Sequence, residues 1–149
     1  MVTVALPETW AYALRLPHDP RAARVARMTV RAALDGHGMH DVLDVVEVLT
    51  SELVTNTYRH TKGPASLRLT ALGGGRLRVG VWDGSPHIPV PFSAPGERVP
   101  PVAPDAEGGR GLALVQECAD SWGGWSLGDD VLGWSGGKLL WFEVGGRDV

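Results

Sequence analysis

Seven of the chain's eleven prolines, at positions 86, 89, 91, 95, 100, 101 and 104, fall between Ser85 and Gly109. Proline lacks a backbone N–H and fixes φ, so this stretch can join neither a helix interior nor a central strand. A disordered linker between two domains would have the same composition, but the segment after Gly111 is too short to bury a core of its own. The pattern therefore predicts a single domain over residues 1–149, interrupted by a long irregular loop at about 85–109. Loops longer than ~12–15 residues inside a compact domain are usually functional or mobile.

The flanking segments have readable periods. Trp10 to Leu16 reads as a short strand. Asp19-Pro20 places an N-cap before a proline at the first helical position, opening a helix to about Leu34. Arg21, Arg24, Arg27 and Arg31 share one side of that helix, either as a solvated face or as a docking stripe. A second helix is expected from about Asp41 to Thr61, stopped by Gly63-Pro64. Ser66–Leu72 and Arg76–Trp82 alternate around Gly73-Gly74-Gly75, which signals a hairpin. Beyond the proline-rich loop, Gly109-Arg110-Gly111 opens a third helix to about Ser121. Two further strands follow, Trp122–Leu127 and Lys138–Val144. This is an α+β layout: a two-layer sandwich of one mostly antiparallel sheet with helices on one face.

Three polar features interrupt the apolar pattern. On the second helix, Val45, Leu49, Val42 and Leu53 define the expected buried stripe, and Glu52 and Asn56 fall within about 20° of Val45 at ~100° per residue. Burying a carboxylate and an amide costs several kcal/mol unless they are partnered, whether by each other or by a ligand. Arg59 and His60 extend that polar patch by one turn. On the fifth predicted element, the second strand of the hairpin, Leu77, Val79, Val81 and Asp83 alternate onto one face, so Asp83 ends an apolar row; Asp-Gly-Ser is equally an ordinary turn. The third feature is Gly108-Gly109-Arg110-Gly111-Leu112, where small residues and a helix N-terminus together suit an anion.

Charge and composition remove several function classes. Fourteen basic against seventeen acidic residues leave a net charge of −3, unlike a domain that binds nucleic acid directly. The single cysteine, Cys118, excludes a disulfide framework and a cysteine-based zinc site. No apolar run approaches the ~18–20 residues of a membrane span, and the N-terminus has no signal-peptide pattern, so a cytoplasmic domain is expected.

In this order, Glu52-Leu53-Val54-Thr55-Asn56-Thr57-Tyr58-Arg59-His60, Trp82-Asp83-Gly84-Ser85 and Gly109-Arg110-Gly111-Leu112-Ala113-Leu114 resemble the N, first-glycine and second-glycine boxes of the GHKL ATPase superfamily. That group includes histidine-kinase catalytic domains, type II topoisomerases, MutL and heat-shock chaperone ATPases. The Ser51-Glu52-Leu53-Val54-Thr55-Asn56 wording is similar to the stand-alone anti-sigma factor serine kinases of the RsbW/SpoIIAB type, in their actinobacterial form. The resemblance spans about Leu14 to Val144 and implies the Bergerat-type ATP-binding fold. It implies ATP and Mg²⁺ as cofactors, with Asn56 as metal ligand and Glu52 as base or orienter of the attacking hydroxyl. Asp83, followed by Ser85 where a glycine is usual, would accept from the adenine amino group. Arg59 and His60 would lie near phosphates or ribose, backbone amides of Gly109, Arg110, Gly111 and Leu112 would hold the phosphate tail, and residues 85–109 would form the ATP lid. The threonine common on the family's last strand is expected at Leu139 or Leu140, and Glu107 replaces a basic lid residue of some relatives.

The function implied is an ATP-dependent protein serine/threonine kinase that phosphorylates a STAS-type anti-anti-sigma partner and sequesters a sigma factor, working as a homodimer. A weakly catalytic binding module that switches partners, and an orphan histidine-kinase catalytic domain, are the alternatives. Glu52 speaks against the last.

Overall fold

The computed structural model describes residues 9–89, 92, 110–127 and 136–145. Most of the expected lid, residues 90–91 and 93–109 with Glu107 and Gly109 among them, lies outside the described residues. In chain order the elements are β1 (Ala11–Leu16), α1 (Ala22–Gly36), a 3₁₀ turn (His40–Val42), α2 (Leu43–His60), β2 (Ala65–Gly73), β3 (Arg76–Asp83), α3 (Arg110–Cys118), β4 (Ser121–Ser126) and β5 (Lys138–Val144). The strands form one antiparallel sheet in the order β1-β2-β3-β5-β4. The two-layer α+β architecture expected from the sequence is the one found.

Glycine chemistry sets the central hairpin. Gly73 pairs with Arg76 across a two-residue loop in which Gly74 and Gly75 have φ of 64° and 78°. Two successive positive φ values match the right-handed twist of a hairpin, and L side chains resist them. The register that follows puts Leu67 and Leu69 of β2, Leu77, Val79 and Val81 of β3, and Leu140, Phe142 and Val144 of β5 on one face, all buried. Against them pack Ala22, Ala26, Val30 and Leu34 of α1, spaced one turn apart, and Val46, Leu49 and Leu53 of α2.

The opposite sheet face carries Trp82, Leu139, Trp141 and Trp125. A Cβ on Gly123 would come within 2.8 Å of the Trp141 ring, so that glycine lets the indole lie on the sheet. On the same face Glu143 accepts from Arg76 (2.7 Å) and Arg78 (2.8 Å), and Arg78 also stacks 5.4 Å from the Trp141 ring centre.

Two local expectations shift. α1 starts at Ala22, later than the Asp19-Pro20 signal, because Asp19 holds a turn ahead of the helix. Its Oδ1 accepts from the Arg21 N–H at 2.8 Å and its carbonyl from the Ala22 N–H at 3.0 Å. The buried face of α2 is also rotated from the expected stripe. Val46, Leu49, Thr50, Leu53, Val54 and Thr57 are buried, whereas Val45 and Val42 are only partly so. The helix packs against α1, α3 and β3 together, which moves its buried centre away from Val45.

Candidate functional site

The ends of β3 and β5 meet the last turns of α2 in a buried polar cluster. Asp83 closes the apolar row of β3, as its alternation requires, and is 1% exposed. Directly across the ladder stands Lys138, the first residue of β5, 2% exposed. Its Nζ donates to Asp83 Oδ1 at 2.8 Å and to the Ser85 carbonyl at 3.4 Å. From α2, Thr57 Oγ1 donates to Asp83 Oδ2 at 2.7 Å. The Ser85 backbone N–H donates to Asp83 Oδ1 at 2.9 Å, so the Asp-Gly-Ser segment is a side-chain-closed turn and Asp83 is also part of a larger cluster.

Backbone geometry makes this close approach possible. Gly137 has φ of 83°, and a Cβ there would collide with the Asp83 carbonyl oxygen. Ala65 of β2, paired with Asp83 on its other side, is the small residue that completes the row. The pair of full charges is tolerated in the core because each has an opposite partner and further hydrogen bonds.

The expected site residues distribute as follows. Asn56, one residue before Thr57, is 8% exposed, so the second helix does carry a buried amide beside the Asp83 cluster. Glu52 is half-buried rather than on the core face. It lines an open groove of about 460 Å³ between α1 and α2 with Arg27, Arg31, Asp44, Glu47 and Ser51. Burial is therefore not what singles out this carboxylate. The arginine stripe of α1 is likewise shared out: Arg31 reaches Glu47 at 3.5 Å, and Arg21 turns back to Asp19 at 2.8 Å. Arg59 and His60 are exposed in the last turn of α2, and neither joins the Asp83 cluster. Arg110 and Gly111 begin α3, and Leu112 turns its side chain into the core, so this position offers an anion only its backbone. α3 packs on α2, which brings the third polar motif to the helix that carries the first.

The last strand corrects one expectation. Leu140 is in the core and Leu139 lies on the opposite sheet face against Gly80. The position that faces Asp83 is Lys138, and the hydroxyl comes from Thr57 on α2. Both residues were missed by the motif comparison, yet a signal existed: Lys138, Leu140, Phe142 and Val144 alternate as Leu77, Val79, Val81 and Asp83 do, with a charge at the end of each apolar row.

Among the described residues no three His, Cys, Asp or Glu side chains are grouped to hold a metal ion. A Mg²⁺ ion keeps several waters and takes few protein oxygens beside substrate phosphates, so a lone amide oxygen such as that of Asn56 fits it only as one ligand among those.

A sheet covered on one face by helices, with polar residues gathered at one end of the helix layer, is a two-layer architecture of the α+β class. The chain matches the histidine kinase-like ATPase domain over residues 16–128, and it belongs to that family. ATP binding comes with that membership. The chain is also similar to an uncharacterised protein of Streptomyces coelicolor, 44% identical over 66 residues, which cover 44% of this chain and 57% of the relative. The match thus spans little more than half the length of that curated relative.

Proposed function

We propose that this protein is an ATP-binding regulator that phosphorylates a serine or threonine of a STAS-type anti-anti-sigma partner and sequesters a sigma factor. The observation that carries the nucleotide part is the Thr57–Asp83 hydrogen bond. It ties the aspartate of one motif to the residue after Asn56 of another, so the two lie at one end of the fold. In this reading Asp83 accepts from the adenine amino group, and Asn56 ligates Mg²⁺ beside the phosphates. In the same reading, backbone amides of Arg110 and Gly111 at the start of α3 would hold the phosphate tail.

Glu52 supports the kinase part. It lies one turn from Asn56 and, being half-buried in an open groove, can be reached by a hydroxyl on another protein. The mixed charge of that groove suits a polar protein partner. Self-association is supported at the other edge. β1 ends the sheet among the described residues, and beside it Tyr12, Val25 and Met28 are exposed around a groove of about 590 Å³.

The test is a pair of substitutions assayed with a STAS-type protein of the same organism. Glu52→Ala should leave Mg·ATP binding close to normal and cut transfer by roughly 10²–10⁴-fold. Asn56→Ala should weaken metal-dependent ATP binding itself. If the unmodified protein binds ATP and phosphorylates no such partner, the partner-switching module replaces the kinase.

A further inference from the structure

The Asp83–Lys138 pair has hydrogen-bonding capacity left over on both members. A carboxylate offers about four lone-pair sites. Asp83 uses two on Oδ1, for Lys138 Nζ and the Ser85 N–H, and one on Oδ2, for Thr57 Oγ1. One site on Oδ2 remains. An ammonium group has three N–H donors. Among the described residues Lys138 gives one to Asp83 Oδ1 and one to the Ser85 carbonyl. One donor remains. A buried ammonium with a spare N–H is costly unless something accepts it.

One spare acceptor and one spare donor, on adjacent side chains held rigid by a strand pairing, form a two-point edge reader. The edge that complements it has a donor beside an acceptor. Adenine presents that pair as its 6-amino group and ring N1. We propose that Lys138 is a specificity-determining residue that donates to N1 of the adenine ring while Asp83 accepts from the 6-amino group. This rests on the reading that Asp83 meets the base of ATP. It assigns to the first residue of β5 a role that a threonine could fill only with a neutral hydroxyl. The three N–H donors of the ammonium let one side chain serve more than one acceptor, and the Gly137 bend that presses β5 onto the Asp83 carbonyl sets where the stem begins.

The test uses the unmodified protein and atom-level changes in the ligand, read by titration calorimetry. The ligands are ATP, 1-deaza-ATP, in which N1 becomes C–H, and purine riboside triphosphate, which lacks the 6-amino group. A lost hydrogen bond to a charged donor predicts that 1-deaza-ATP binds at least about tenfold more weakly than ATP. In Lys138→Met the affinities for ATP and 1-deaza-ATP should converge, with heat melts confirming that the variant is folded; if it is not, the ligand comparison in the unmodified protein decides alone. Equal binding of ATP and 1-deaza-ATP, with the 6-amino deletion still costly, would overturn the role of Lys138 and leave that of Asp83 intact. If removing the 6-amino group also costs nothing, the base reading of Asp83 falls and the proposal with it.

Discussion

Replacing Lys138 by Met tests the energetics of the cluster without any ligand. The methionine keeps the approximate length and apolar volume of the lysine stem and removes the charge together with its N–H donors. Asp83, whose side chain is 1% exposed, then holds a carboxylate with two hydrogen bonds, from Thr57 and the Ser85 N–H, and no cation. Breaking a buried pair by removing one partner costs about 3–5 kcal/mol. The two surviving hydrogen bonds place this site at the low end, near ~3 kcal/mol. In a domain of this size, each kcal/mol moves the melting temperature by roughly 2–4 °C, so the variant should melt about 6–12 °C lower.

A double-mutant cycle makes the claim specific. Asp83→Asn leaves an uncompensated ammonium and should also destabilise. Asp83→Asn with Lys138→Met removes both charges, so its cost should be less than the sum of the singles by about 2 kcal/mol or more. Urea unfolding at low and high salt, without nucleotide, reads these values. Costs that add within ~0.5 kcal/mol would refute a direct buried pair. So would a Lys138→Met cost that salt abolishes, since screening reaches only hydrated charges.

Three further outcomes follow from the same structure. Thr57→Val removes a hydroxyl donor 2.7 Å from a buried carboxylate and should cost about 1.5–3 kcal/mol in urea unfolding, whereas Thr55→Val, at a half-buried position two residues earlier on α2, should cost little. Gly123→Val places a Cβ within 2.8 Å of the Trp141 ring and should destabilise by about 1–3 kcal/mol with a changed tryptophan emission. The side-chain and backbone hydrogen bonds from Arg21 hold the Asp19 carboxyl well below the usual carboxylate range. A depressed folded-state value means that whatever this contact adds is present above the ordinary carboxylate pKa and is lost only as the pH falls through the folded one. The Asp19 carboxyl carbon should therefore show no NMR titration step near pH 4.

The local grammar of the sequence reached most of the architecture because it is written in short-range chemistry. The glycine run 73–75 fixed the hairpin, and the alternation of residues 77–83 correctly pointed Asp83 inward. What was not legible depends on contacts across the chain. The buried face of α2 is set by α1, α3 and β3 together, so a helical wheel centred on Val45 placed Glu52 deeper than it lies. Lys138 was invisible as a site residue because its meaning comes from a register 55 positions long, which pairs it with Asp83. Thr57 was passed over because a threonine on a helix more often bonds its own backbone, as Thr29 does to the Val25 carbonyl.

Moving the hydroxyl from a strand to α2 has a mechanical consequence. Thr57 and Asn56 are consecutive on one helix, about 100° apart around its axis. The bond from Thr57 to Asp83 therefore adds a polar tie between α2 and the sheet, one residue from the Asn56 amide, to the packing that sets the helix's rotation. A hydroxyl on β5 would steady Asp83 without that tie to α2. Here the carboxylate assigned to the base and the amide assigned to the metal are two ends of one rigid connection. A ligand that draws Asp83 toward itself must work against Thr57, and any rotation this causes is delivered to Asn56 one residue away. In the proposed reading that 2.7 Å hydrogen bond would couple base recognition to phosphate-end geometry, so Thr57→Val is expected to alter metal-dependent binding as well as stability.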